Sequence, residues 1–233
     1  KDPQVTENTF ELIRKQGDSE SASLQISAYK FSPIGMAGVQ TIAFELEKQL
    51  KTIDHIFCPA GGGGLTLSIA HGFDNLLYMK KIDHFPIIHC VQPLGNDTMA
   101  SSLRLGLNRG TEVQCKTTIS GLQVPNLLDA DDVINHLKTR NGMGHLVHDE
   151  LVFTVQKKLA SEEGIFSEPA GATALAGLYE AVKREEVDAD DHIVCLVTGS
   201  GFKDTVSLGK MASSGKHKRM EHDQFSTELN NLC

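Results

Sequence analysis

Four consecutive glycines, Gly61 to Gly64, separate the apolar run His55-Ile56-Phe57-Cys58-Pro59-Ala60 from an apolar helical stretch that opens at Leu65. Glycine has the most backbone freedom to lose on folding and no side chain to pack. A run of four therefore marks a place where the backbone must come very close to something. At a strand-to-helix turn that partner is typically a phosphate, because bare N–H groups converge on its oxygens and the helix start adds its positive dipole end. A merely tight turn needs one or two glycines, so the run reads as a phosphate cradle. No Lys-Ser/Thr pair follows it and no spaced G-x-G-x-x-G is present, which excludes a Walker loop and a dinucleotide fingerprint.

The apolar segments around this turn alternate in character. Residues 53–59, Pro86 to Val91, Gly144 to His148 and Asp191 to Val197 read as strands. Residues 64–80, 97–105, Asp129 to Thr139, the stretch capped by Asp149, and Ala170 to Val182 read as helices, as does Gly38 to Leu50. Leu24 to Tyr29 alternates and is expected to be a further strand. Strands alternating with helices imply an α/β fold, a doubly wound, mostly parallel sheet with helices on both faces. Ligands in such folds sit beyond the carboxyl ends of the strands. The glycine run, Glu168-Pro169-Ala170-Gly171 and Thr198-Gly199-Ser200-Gly201 all fall at such ends, so one site can collect them.

The chain of 233 residues is long enough for one large domain or two small ones, and 40% of it is apolar. The formal net charge of −8 argues against nucleic acid or an anionic membrane as partner. Five cysteines, odd in number and widely spaced, read as reduced, small buried hydrophobes in a cytoplasmic protein. No Cys/His pair has the spacing of a metal site.

Several ordered motifs together resemble the fold-type II pyridoxal-phosphate enzymes, the group of the threonine synthases, the threonine and serine dehydratases and the cysteine synthases. Ser32 to Glu45 is similar to the family stretch around E-G-Q-K-T, with Ala37 and Val39 in place of the Glu and Lys. Pro59 to Leu65 resembles the phosphate loop in its dehydratase form, and Val91-Gln92-Pro93 the family's G-V-Q strand end. Asp149 to Ala172 follows the family closely, and Thr198 to Asp204 resembles the threonine synthase ending T-G-x-G-L-K-D. The likeness covers about residues 25–208.

This resemblance implies pyridoxal 5'-phosphate as cofactor, held by Gly61, Gly62, Gly63, Gly64 and Leu65 through backbone N–H groups. It implies that the Thr198 hydroxyl faces the pyridine nitrogen, a neutral partner that favours elimination and replacement over transamination. Glu168 has two readings: it points into the site, or it only caps the following helix. Lys203 is read as structural. The resemblance also implies that the Schiff-base lysine, and the Asn that meets the ring hydroxyl, lie well before the glycine loop. Neither motif occurs here, so the catalytic lysine is unknown in this chain. The 233 residues are expected to be the C-terminal portion of such an enzyme, whether a processed chain, a truncated gene product or half of a split protein. Residues 1–30 are then a remnant of, or linker from, the smaller domain, 31–211 the cofactor-binding α/β domain, and 212–233 a mobile tail with a short helix near 222–231. The implied activity is a lyase of amino-acid metabolism acting on a small amino-acid substrate. Threonine synthase-like conversion of O-phosphohomoserine to threonine comes first, with a dehydratase-like β-eliminase or a non-catalytic homologue as alternatives. A homodimer, or association with the missing N-terminal portion, is the expected assembly.

Overall fold

The computed structural model describes residues 3–19, 25–214, 221, 224 and 225. Four strands, β1 (His55–Pro59), β2 (Ile87–Pro93), β3 (Met143–Val147) and β4 (Ile193–Cys195), form a sheet in the order β3-β2-β1-β4. Every neighbouring pair is parallel. β1 and β2 are buried along nearly their whole length because both faces of the central sheet are covered; all five residues of β1 are buried.

Nine helices stand among the described residues: α1 (Pro3–Ser19), α2 (Pro33–Val39), α3 (Thr41–Gln49), α4 (Gly64–Tyr78), α5 (Ala100–Arg104), α6 (Ala130–Lys138), α7 (Asp149–Glu162), α8 (Pro169–Lys183) and α9 (Thr205–Ser214). On one face of the sheet Ile56, Cys58, Ile88 and Cys90 pack against Leu67, Ile69 and Phe73 of α4 and Val133, Ile134 and Leu137 of α6. On the other, Phe57, Val91 and Val147 pack against Val152 and Val155 of α7 and the alanines 172, 174 and 176 of α8. The small residues of α8 let its backbone lie close to the sheet. Each large aliphatic side chain so buried contributes about 1.5–3 kcal/mol. The alternation of inward faces along the strands thus builds the doubly wound architecture expected from the sequence. Among the described residues no helix is long and apolar enough to cross a membrane.

Three expectations need correction. Residues 25–30 form no strand but a turn, with Phe31 N–H and Ser32 N–H both bonded to the Ala28 carbonyl. The N–H groups of Tyr29 and Lys30, which a strand neighbour would otherwise take, are bound by the Asp129 carboxylate at 2.8 and 3.0 Å. The run 191–197 yields only the three-residue β4, because it pairs with β1 alone at the edge of the sheet. Asp149 is the first residue of α7 rather than its cap; His148 holds the cap position. Most of the expected tail, with its helix near 222–231, lies outside the described residues.

The Asp149 carboxylate turns outward from α7 to the loop before it in space. It accepts hydrogen bonds from Thr117 Oγ1 (2.7 Å), Thr118 N–H (2.7 Å) and Thr118 Oγ1 (2.8 Å). Charged acceptors make the stronger hydrogen bonds. Asp149→Ala is expected to cost about 1–3 kcal/mol, read as a lower denaturant midpoint, with faster limited proteolysis within 110–118. An unchanged midpoint and cleavage rate would show that this loop is held by packing alone.

Candidate active site

Parallel β1 delivers the chain at Pro59 to the top of the sheet, and α4 starts five residues later. Gly63 makes the reversal as the N-cap of α4, with φ +99°, a conformation a side chain strains against. The first turn of a helix leaves its N–H groups without carbonyl partners, so the glycine loop presents them to whatever lies above.

Two residues hold this loop, Gln92 of the Val91-Gln92-Pro93 motif by its side chain and Asp129 by its backbone N–H. Gln92, at the end of β2 and fully buried, sends its Nε2 to Thr98 Oγ1 (2.8 Å) and to the Gly61 carbonyl (3.4 Å). Its Oε1 accepts from the N–H groups of Met99 and Ala100 at the start of α5, at 2.8 and 3.0 Å. Asp129, 1% exposed, donates its backbone N–H to the Gly62 carbonyl at 3.0 Å while its carboxylate ties down Tyr29 and Lys30. Burial raises the Asp129 pKa, and the two backbone N–H donors oppose the rise.

Above the loop opens a cleft of about 770 Å³. Gly61, Gly62, Gly63, Gly64 and Leu65 form its floor, and Glu168, Ala170, Thr198, Gly199 and Lys203 its opposite wall. The three stretches singled out in the sequence therefore meet in one cavity at the carboxyl ends of the strands. Phe10, Ile26, Ser27, Met36 and Val39 line it from the N-terminal part of the chain, and Ser120, Gly121, Leu122, Val124 and Leu128 from a segment that sequence patterning marks only as loop. The signal that could have found it is the pair Gly121 and Pro125, turn formers that punctuate this stretch. A short 3-10 turn, Ser120–Leu122, places it there.

Glu168 occupies the N-cap of α8, yet its side chain makes no capping hydrogen bond. The carboxylate instead pairs with Lys203 Nζ at 3.1 Å at the cleft wall and lies over Gly199. Gly199 has φ +52°, and a Cβ there would stand 1.8 Å from Glu168 Oε1. Of the two readings of Glu168, the one that points it into the site agrees with this geometry. Lys203 lines the same cleft as one half of that ion pair, with its side chain 65% exposed.

Among the described residues no cysteine lines this cleft. Burial pushes the thiols of Cys58 and Cys90 well up, and that of Cys195 up to about 12. A reactive cysteine needs the opposite shift. Among the described residues no group of three or more His, Cys, Asp or Glu could hold a metal ion.

Gln92→Leu removes the tie to Gly61 and leaves two buried N–H groups of α5 unpaired. It is expected to cost about 2–4 kcal/mol in chemical denaturation and to weaken phosphate binding in the cleft. Wild-type stability and phosphate affinity in this variant would show that the amide does not hold the loop.

The model of the family described as "Pyridoxal-phosphate dependent enzyme" matches residues 4–199. The chain is 31% identical over 179 residues to the threonine synthase of Methanocaldococcus jannaschii, covering 74% of this chain and 44% of that protein. It is 30% identical over 176 residues to the threonine synthase of Methanosarcina acetivorans, with the same two coverages. The chain thus spans about half the length, or somewhat less, of the curated relatives it matches. In structure it is similar to the processed form of threonine deaminase isoform 2 from Solanum lycopersicum. There the TM-score is 0.62 and the identity 25%, over 78% of this chain and 50% of that one. With its parallel sheet and these matches, the chain belongs to the fold-type II family of pyridoxal-phosphate dependent enzymes.

Proposed function

We propose that the whole protein is a threonine synthase-like lyase of amino-acid metabolism, converting O-phosphohomoserine to threonine by elimination and replacement. The observation that carries this reading is the single cleft in which the glycine loop faces Glu168, Thr198 and Lys203. Its volume lies in the range of small-ligand sites. The residues present fit the cofactor. A helix start offers N–H groups to a phosphate, Gly63 keeps side chains out of the approach, and the buried Thr66 hydroxyl of the same turn has no partner among the described residues.

Pyridoxal phosphate, when bound, supplies an electron sink for charge developing on an amino-acid substrate. The loop N–H groups from Gly61 to Leu65 bind and orient the phosphate, assisted by the dipole of α4. Thr198, half-buried three residues beyond β4, offers a neutral hydroxyl as hydrogen-bond partner for the ring nitrogen. The Lys203 ammonium neutralises the Glu168 carboxylate and holds it at the wall, where it can order a substrate group or a water. Leu122, Val124 and Leu128 exclude water from the opposite side. A second reading, a threonine or serine dehydratase-like β-eliminase, is supported by the structural likeness to threonine deaminase and by the form of the glycine loop. We place the lysine that carries the cofactor outside these residues, and the substrate is a small amino acid in either reading.

Product analysis of the complete protein separates the readings. Threonine and inorganic phosphate from O-phosphohomoserine support the first; ammonia and an oxo acid from threonine or serine support the second. A protein that binds cofactor and turns over neither substrate would leave only a non-catalytic homologue. Gly62→Val is expected to abolish cofactor binding, measured by absorbance and fluorescence, after Leu128 shifts to admit the side chain. Thr198→Asp is expected to slow turnover about tenfold or more and to raise side transamination, since the charged partner favours a protonated ring. If both rates stay at wild-type values, Thr198 is a turn residue only. Borohydride reduction of the 233-residue chain with cofactor present is expected to label no lysine stoichiometrically. Specific labelling of Lys203 or Lys30 would overturn the placement of the lysine elsewhere.

A further inference from the structure

Three histidines on neighbouring strands form a continuous buried hydrogen-bonded row remote from the cofactor cleft. His55 Nδ1 is 2.9 Å from His89 Nε2, and His89 Nδ1 is 2.7 Å from His145 Nε2. The row climbs the sheet diagonally. His89 lies opposite Phe57 on β1 and opposite Met143 on β3, so His55 sits two residues before its partner and His145 two residues after. His89 and His145 are fully buried and His55 nearly so, at 6%. Phe57 stacks on His89 with ring centroids 3.9 Å apart.

The two ends of the row set its polarity. Asp191 Oδ2 lies 3.1 Å from His55 Nε2, and Arg104 Nη2 lies 3.4 Å from His145 Nδ1. A guanidinium only donates and a carboxylate only accepts. A neutral imidazole has one donor and one acceptor nitrogen. Only one arrangement then satisfies every contact: each ring accepts at Nδ1 and donates from Nε2, from Arg104 through His145, His89 and His55 to Asp191. We propose that this row is a one-way ladder of three neutral, Nε2-protonated imidazoles that locks the register of β1, β2 and β3, and that a proton added to it unlatches the sheet in acid.

A second proton on any ring must go to Nδ1, the acceptor. On His89 it would set two N–H groups against each other across 2.7 Å; on His145 it would face Arg104. The charged groups around the ladder are Arg104 of α5, Glu180 of α8, Arg184 at its end, Glu186 in the following turn and Asp191 before β4. Glu186, paired with Arg104 at 2.7 Å, has an oxygen 3.7 Å from His145 Nδ1, too far for a hydrogen bond but near enough to make His145 the easier ring to protonate. Burial, together with the neighbouring cation and rings, pushes His89 down to about 2 and His145 down to about 4. Their unfolded values lie near ~6.5. The stabilisation is therefore complete above about pH 6.5 and is lost as pH falls, because the unfolded chain takes up two protons that the folded one refuses. From these two rings the ratio of folded to unfolded protein should drop about fiftyfold between pH 6 and 5.

The test is in two parts. Long-range ¹H–¹⁵N correlation spectra of the ¹⁵N-labelled protein at neutral pH should show His55, His89 and His145 all protonated on Nε2 alone. His89 and His145 should stay neutral down to pH 5. An Nδ1–H tautomer at any of the three, or titration of His89 or His145 near pH 6, would overturn the proposal. Chemical denaturation between pH 6 and 5 should then be compared with His89→Gln. The variant's pH dependence should be shallower by about tenfold per unit, the contribution of one proton. An equal slope in wild type and variant would also overturn it. Should the variant not fold, the spectra of the wild-type protein decide.

Discussion

The hydrogen bond from the Asp129 N–H to the Gly62 carbonyl is the point on which the site geometry turns. Asp129 opens α6, so this one contact ties the glycine loop to a helix packed against the sheet. The same residue's carboxylate takes the N–H groups of Tyr29 and Lys30 and so fixes the chain leading into α2. Four glycines have no side chains with which to hold themselves in place. Their shape is imposed from outside, by Asp129 on one side and Gln92 on the other, and only then do the N–H groups of α4 form a cradle.

The second constraint is the parallel sheet. Parallel strands bring successive strand ends to one edge, whatever their separation in the chain. Gly61 and Thr198 are far apart in sequence, yet both stand at that edge because β1 and β4 are hydrogen-bonded neighbours. The Glu168–Lys203 pair then closes the wall between them. The groups that the loop offers to the cleft are those of its backbone, since the four glycines carry no side chains.

The histidine ladder carries the same lesson on the other face of the sheet. Each ring interrupts an apolar run, and a linear reading of β1, β2 and β3 assigns it nothing. Across the sheet the rings complete one another's hydrogen bonds, so buried polar atoms that would each be costly alone are satisfied together.

Much of the fold was legible because its elements satisfy local rules. The apolar runs 55–59 and 87–93 had to be strands covered on both faces, and the helical period of α4 and α6 had to face them. The glycine run, Pro169 at a helix start and the Thr198-Gly199 turn marked the strand-end segments that meet in the cleft. Glu168 stayed ambiguous, because a carboxylate at a helix start suits a cap and a site equally; only the position of Lys203 and Gly199 sends it to the cleft. The turn at 25–30 carries the alternation of a strand, because alternation in sequence cannot show that a carboxylate some hundred residues away takes the N–H groups. What the sequence by itself determined is the parallel α/β scaffold and the glycine turn that opens α4, for burial and backbone conformation are set by residue type and spacing. What only the tertiary structure decided are the partners of Gln92, Asp129, Glu168 and the three histidines, because a polar group's role depends on what stands within 3 Å of it, and that is a property of the packed chain.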